Sequence, residues 1–69
     1  MPLTMAKIGE INIIKRIGGR EDTRRFLYNL GFVEGGEICV VTSVGGNVIV
    51  DIKGSRVAVS REMALKIII

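Results

Sequence analysis

The chain has 69 residues, 48% of them hydrophobic, and ten Lys and Arg stand against seven Asp and Glu for a net charge of +3. That length allows one domain, residues 1–69, and a domain so small buries only about 60% of the surface its unfolded chain exposes. There is no histidine, no tryptophan and a single cysteine, which excludes His-based acid–base chemistry and an internal disulfide.

The chain opens with Pro2-Leu3-Thr4-Met5, a turn-like start because Pro2 fixes φ and lacks an N–H. Thr4 is placed to cap a single helical turn ahead of Gly9. Residues 10–17 carry Ile11, Ile13, Ile14 and Ile17, and this β-branched run predicts the first strand. Its alternation is imperfect, since Ile14 faces away from Ile11 and Ile13; a bulge or a strand covered on both sides accounts for that. Gly18-Gly19 ends it.

A helix is predicted from residue 20 or 21 to residue 30. Thr23, Phe26, Leu27 and Leu30 follow at i, i+3, i+4 and i+7, one apolar face to dock on the core. Glu21 and Asp22 suit the positive end of the helix dipole, and Glu21 lies four residues before Arg25, the spacing of a surface pair. Gly31 can take the left-handed conformation that stops a helix, leaving Phe32 to pack back on Leu27.

Strands follow in quick succession. Over 37–44, Ile38, Val40 and Thr42 share one face and Cys39, Val41 and Ser43 the other. Gly45-Gly46 is a hairpin signal, and in the next strand Val48, Val50 and Ile52 point inward. After Gly54-Ser55 a strand over 56–59 directs Val57 and Val59 inward. Ser60 is a candidate N-cap for one turn, 61–64, and 65–69 return to strand. Cys39, mid-strand among valines and isoleucines, is expected as a small core residue.

About five short strands with one helix inserted after the first predict a mainly β fold, a small SH3-like barrel, because closure removes exposed strand edges. An OB-fold barrel is the alternative, but its strands are longer and its helix comes later.

No catalytic constellation is present, so no enzyme is expected. The glycine pairs lack a phosphate-loop pattern. Glu34 and Glu37 near the corner after the helix form a weak oxygen-donor pair for a hard cation. Lys15, Arg16, Arg20, Arg24 and Arg25 gather positive charge in the first half. This keeps nucleic-acid binding open as an alternative, although the strand faces offer no aromatic residues on which bases stack. The first residues carry no basic-then-apolar leader pattern, no apolar run is long enough to span a membrane, and the lone cysteine fits a reducing compartment; a cytoplasmic protein is expected.

The ordered set Pro2-Leu3, Gly9, Arg24-x-x-Leu27-x-x-Leu30-Gly31-Phe32, Gly35, Ser55-Arg56-Val57-Ala58-Val59 and the tail Ala64, Ile67 and Ile69 resembles the FeoA family of small cytosolic proteins of ferrous-iron uptake. The resemblance covers nearly the whole chain. Glu34 stands where that family often has Pro, and Val59 where it often has Leu. A similar domain also ends iron-dependent repressors, but this chain carries no DNA-binding helix-turn-helix. The resemblance implies a non-catalytic protein that binds and regulates the cytosolic part of a FeoB-type Fe(II) transporter, recruited by it to the inner face of the membrane. It also implies an association with ferrous iron or another transition metal. The residues themselves assign no cofactor and no metal ligand: without His, an Fe(II) or Zn(II) site would have to use carboxylates. The expected partner surface lies beside the helix, at Arg24, Arg25, Tyr28, Asn29, Val33 and Glu34, since Arg and Tyr are enriched at binding hot spots.

Overall fold

A computed structural model describes residues 1–69. Six strands, β1 (Ile11–Ile13), β2 (Arg16–Ile17), β3 (Glu37–Val44), β4 (Asn47–Ile52), β5 (Ser55–Ser60) and β6 (Ile67–Ile68), are joined by two helices, α1 (Glu21–Leu30) and α2 (Arg61–Ala64). β1, β3, β4 and β5 form an antiparallel sheet in that order, and β2 pairs with β6 in a separate two-stranded ribbon. The architecture is thus mainly β with one substantial helix, and that helix follows the second strand rather than the first.

The run 10–17 is two strands, not one. Ile11–Ile13 pair with β3, while Arg16–Ile17 pair with β6. Ile14 is the pivot: its N–H donates to the Gly36 carbonyl at 2.9 Å and its carbonyl accepts from the Gly35 N–H at 2.8 Å. Its side chain enters the core, whereas Ile11 and Ile13 remain 64% and 48% exposed. The imperfect alternation therefore marks a change of sheet.

The helix stop forms as its sequence requires. Gly31 adopts φ 106°, the Gly31 N–H donates to the Tyr28 carbonyl at 3.0 Å, and the Phe32 N–H donates to the Leu27 carbonyl at 3.0 Å. These two bonds are the Schellman pattern, and Leu27 and Phe32 are both fully buried. Phe26 departs from expectation, being 50% exposed. Only Leu27 of α1 is fully buried, with Thr23 and Leu30 half-buried, so the docked stripe is narrower than the periodicity suggested and Phe26 lies beyond its edge.

Gly45-Gly46 form a two-residue hairpin loop between the paired Val44 and Asn47. A register shift between Val40 and Thr42 bulges β3, which simple alternation over 37–44 did not foresee. Val48, Val50, Ile52 and Val59 point into the core as expected, and Val57 is half-buried. Cys39 is also half-buried. It lies on the outer face of the sheet opposite Ile11 and Asp51, so it is a cross-strand neighbour of a carboxylate rather than a core residue. Thr4 lies inside the short 3-10 turn Leu3–Met5, which starts from Pro2 without a side-chain cap. Ser60 does cap α2, its hydroxyl accepting from the Met63 N–H at 3.2 Å.

The buried cluster is entirely apolar and joins Leu3, Ile14, Ile17, Leu27, Phe32 and Ile67 to the inward valines and isoleucines of β3–β5. No buried polar side-chain atom lacks a partner.

Candidate functional site

α1 presents its polar side at the surface, and the corner from Phe32 to Gly36 folds back beside it. The Gly36 N–H donates to the Val33 carbonyl at 3.0 Å, and the Gly35 N–H ties the same turn to Ile14. This places Glu34 against the helix. The Tyr28 hydroxyl donates to the Glu34 carboxylate at 2.6 Å, a short charge-assisted bond that locks the corner to the helix surface.

Arg24 stands one turn before Tyr28, and its guanidinium lies beside the same hydroxyl. It makes no ion pair. Arg25 does: it meets Glu21 at 3.3 Å, with both side chains largely in solvent, a geometry worth about 0–1 kcal/mol. The surface pair expected from the spacing of Glu21 and Arg25 therefore forms, and Arg24 takes no part in it. Glu21, Arg24, Arg25 and Tyr28 line an open surface depression of ≈ 360 Å³.

The structure thus brings Arg24, Arg25, Tyr28 and Glu34 together. Asn29 is exposed on the helix but does not line the depression, and Val33 is half-buried in the turn. Glu37 lines a second depression, of ≈ 350 Å³, on the outer face of the sheet with Cys39 and Asp51. Glu34 is committed to the Tyr28 hydroxyl, and no group of three or more Cys, Asp or Glu side chains is arranged to hold a metal ion.

Two exposed features were missed by reasoning from sequence. Phe26 stands half-exposed on α1; its place at the rim of the apolar stripe, rather than at the centre, was the available signal. The other is the row Ile8, Ile11 and Ile13, each about half-exposed or more, whose signal was the broken alternation before Ile14.

The Glu34 carboxylate that accepts the phenolic proton holds the Tyr28 phenol above its ordinary value of 10.0; partial desolvation of the ring adds to this, and Arg24 opposes it. The folded state therefore binds the phenolic proton more tightly than the unfolded chain. The resulting stabilisation is complete below the unfolded value near 10 and is lost as pH rises through the raised folded value. Because Tyr28 is the only tyrosine, ultraviolet titration reads this group alone. The wild-type midpoint is expected above 10.0, and Glu34→Gln should lower it; an unchanged midpoint would show that the bond is absent in solution.

Comparison with known proteins follows the same residues. The FeoA domain family matches residues 1–69, the full chain. A relative from Methanocaldococcus jannaschii named Fe(2+) transport protein A is 35% identical over 68 residues, spanning 99% of this chain and 83% of that protein. The crystal structure of an iron uptake regulatory protein, FeoA, superposes with a TM-score of 0.86 at 29% identity, covering 96% of this chain and 88% of the other. The zinc complex of Stenotrophomonas maltophilia FeoA, described as a prokaryotic SH3 domain protein, superposes with a TM-score of 0.83 at 24% identity, covering 99% and 87%. At that identity the likeness concerns the fold, and it makes the sheet and ribbon described above SH3-like.

Proposed function

Because the chain belongs to the FeoA family, an accessory of ferrous-iron transport, we propose that it binds and regulates the cytosolic part of a FeoB-type Fe(II) transporter through the face made by Arg24, Tyr28 and Glu34. The single observation that carries this reading is the Tyr28–Glu34 bond at 2.6 Å. It fixes an aromatic side chain at the surface before any partner arrives, so less side-chain entropy is lost on binding. Arg24 beside it has no ion pair within the chain, which leaves its charge available to an acidic partner group. Arg25, Asn29 and Val33 extend the rim of this surface.

Recruitment to the inner face of a membrane then comes from the partner, since no helix here is long and apolar enough to cross one. The iron is cargo of the transporter, and the role assigned to this chain needs no metal site of its own.

Titration of the protein into the transporter's cytosolic domain by calorimetry, in each nucleotide state of its GTPase, tests the proposal. Saturable binding that weakens with salt is expected, because Arg24 contributes a charged contact. Absence of binding in every nucleotide state would overturn it.

A further inference from the structure

We propose that the outer face of the β2–β6 ribbon, with the rim of α1 beside it, docks on an anionic phospholipid surface. The first argument is where the charges stand. Arg16 pairs with Ile68 and Ile17 with Ile67, and the Gly18 N–H donates to the Lys66 carbonyl at 2.7 Å. Ile17 and Ile67 are buried, so alternation sends Arg16, Ile68 and Lys66 to the opposite, outer face. Lys15 and Arg20, before and after them in the chain, are exposed as well. Residues 11–20 and 63–69 hold no Asp or Glu, so every side-chain charge on these two segments is positive. None of the four cations forms an ion pair within the chain. Of the acids at the border, Glu21 is held by Arg25, and the Asp22 carboxylate accepts the Thr23 N–H at 2.8 Å.

The second argument is the apolar company those cations keep. The aliphatic stem of Lys66 lies over Gly19 beside Thr23: a Cβ on Gly19 would stand 3.3 Å from Lys66 Cδ and 3.6 Å from Thr23 Cγ2. Phe26 follows Thr23 by three residues on the same side of α1 and is 50% exposed. Leu65, next to Lys66, is 46% exposed. At about 100° of turn per residue, Phe26 and Arg24 fall on opposite rims of the stripe that docks through Leu27. The Lys66–Phe26 side is therefore a different surface from the Arg24–Tyr28–Glu34 face.

The third argument selects the occupant. The face combines unpaired cations with apolar side chains and has no carboxylate among them. The core of a protein interface is depleted in lysine, and a single-stranded nucleic acid asks for a row of aromatic platforms, where this face has Phe26 alone. An anionic bilayer surface asks for the combination found here. Basic stems lie along apolar surface with their charges among the phosphates, and Leu and Phe side chains enter the headgroup boundary. No surface depression is lined by Arg16, Leu65 or Lys66, so the face suits an extended surface rather than a small bound anion. This contact adds to recruitment through the transporter and does not depend on it.

Co-sedimentation of the full chain with lipid vesicles, with no transporter present, tests it. Phosphatidylglycerol vesicles should bind the protein at low salt and release it at about 1 M salt, while phosphatidylcholine vesicles should bind little. Arg16→Gln and Lys66→Gln, at exposed positions, should each lower the partition coefficient about fivefold with unchanged circular dichroism. Arg56→Gln, in the other sheet and paired with Asp51, should leave it unchanged. Phe26→Trp supplies a fluorophore to a chain without tryptophan; its emission should shift to the blue on phosphatidylglycerol and stay in place with polyuridylate at equal phosphate. No binding to phosphatidylglycerol, equal losses from Arg16→Gln and Arg56→Gln, or binding to polyuridylate as strong as to the vesicles overturns the proposal.

Discussion

Phe32→Ala should cost this domain about 3–5 kcal/mol of stability, the range for removing a fully buried aromatic side chain. Phe32 is fully buried, and its N–H closes α1 on the Leu27 carbonyl, so the cavity would open where the helix, the corner and the sheet meet. A domain of this length has only about 3–10 kcal/mol in total, and the loss removes a large share of it. Urea unfolding followed by circular dichroism should show a midpoint shifted far down, or a chain unfolded without denaturant. Phe26→Ala is the internal control: the same residue type, on a helix, half-exposed. It should cost less than about 1 kcal/mol, since little of its surface leaves water on folding. Equal losses at the two positions would contradict the docking of α1 through Leu27 and its stop.

The contrast between the two phenylalanines also shows what could be read from the sequence and what could not. The Gly31 stop, the Gly45-Gly46 hairpin and the Ser60 cap are local devices, determined by residues a few positions apart, and all three formed where they were expected. Phe26 was misplaced because helical periodicity defines a stripe but not which rim of it meets the core. The division of 10–17 into β1 and β2 was hidden for a different reason. A run of isoleucines has uniform β propensity, and only the distant partners, β3 for Ile11–Ile13 and β6 for Arg16–Ile17, decide where the chain changes sheet. Cys39 was assigned to the core by the character of its neighbours, while alternation with the buried Ile38 and Val40 placed it on the outer face.

The candidate site divides along the same line. The solvent exposure of Arg24 and Arg25 and the Glu21–Arg25 pair follow from helical spacing. The Tyr28–Glu34 bond does not: the two lie six residues apart with the helix end between them, and they meet because the Val33–Gly36 turn bends back. Once that bond is known, Tyr28 becomes a held side chain rather than a free one, and the difference between Arg24 and Arg25 becomes visible.

That difference yields the largest functional effect expected of a surface change. In the proposed transporter complex, Arg24→Glu should weaken binding by about 30-fold or more, the equivalent of roughly 2 kcal/mol, the threshold of a binding hot spot. The substitution removes a cation that has no ion pair in the free protein, and it sets a carboxylate close to Glu34, which is already committed to Tyr28. It also places like charge against any acidic group the partner offers, and such juxtapositions are strongly unfavourable when desolvated. Arg25→Glu should act far more weakly, because Arg25 is already paired with Glu21 in solvent and a rim charge changes mainly the association rate and its salt dependence. Both variants lie on the exposed side of α1 and should keep the wild-type unfolding curve within about 1 kcal/mol. Calorimetry on the pair therefore separates two possibilities that a single variant would confound. Loss with Arg24→Glu but not with Arg25→Glu locates the contact at the Tyr28–Glu34 lock, whereas equal, modest losses would mean that the partner responds only to the helix's overall charge. Wild-type affinity in both would remove this face from the interface and leave the transporter to bind elsewhere on the domain.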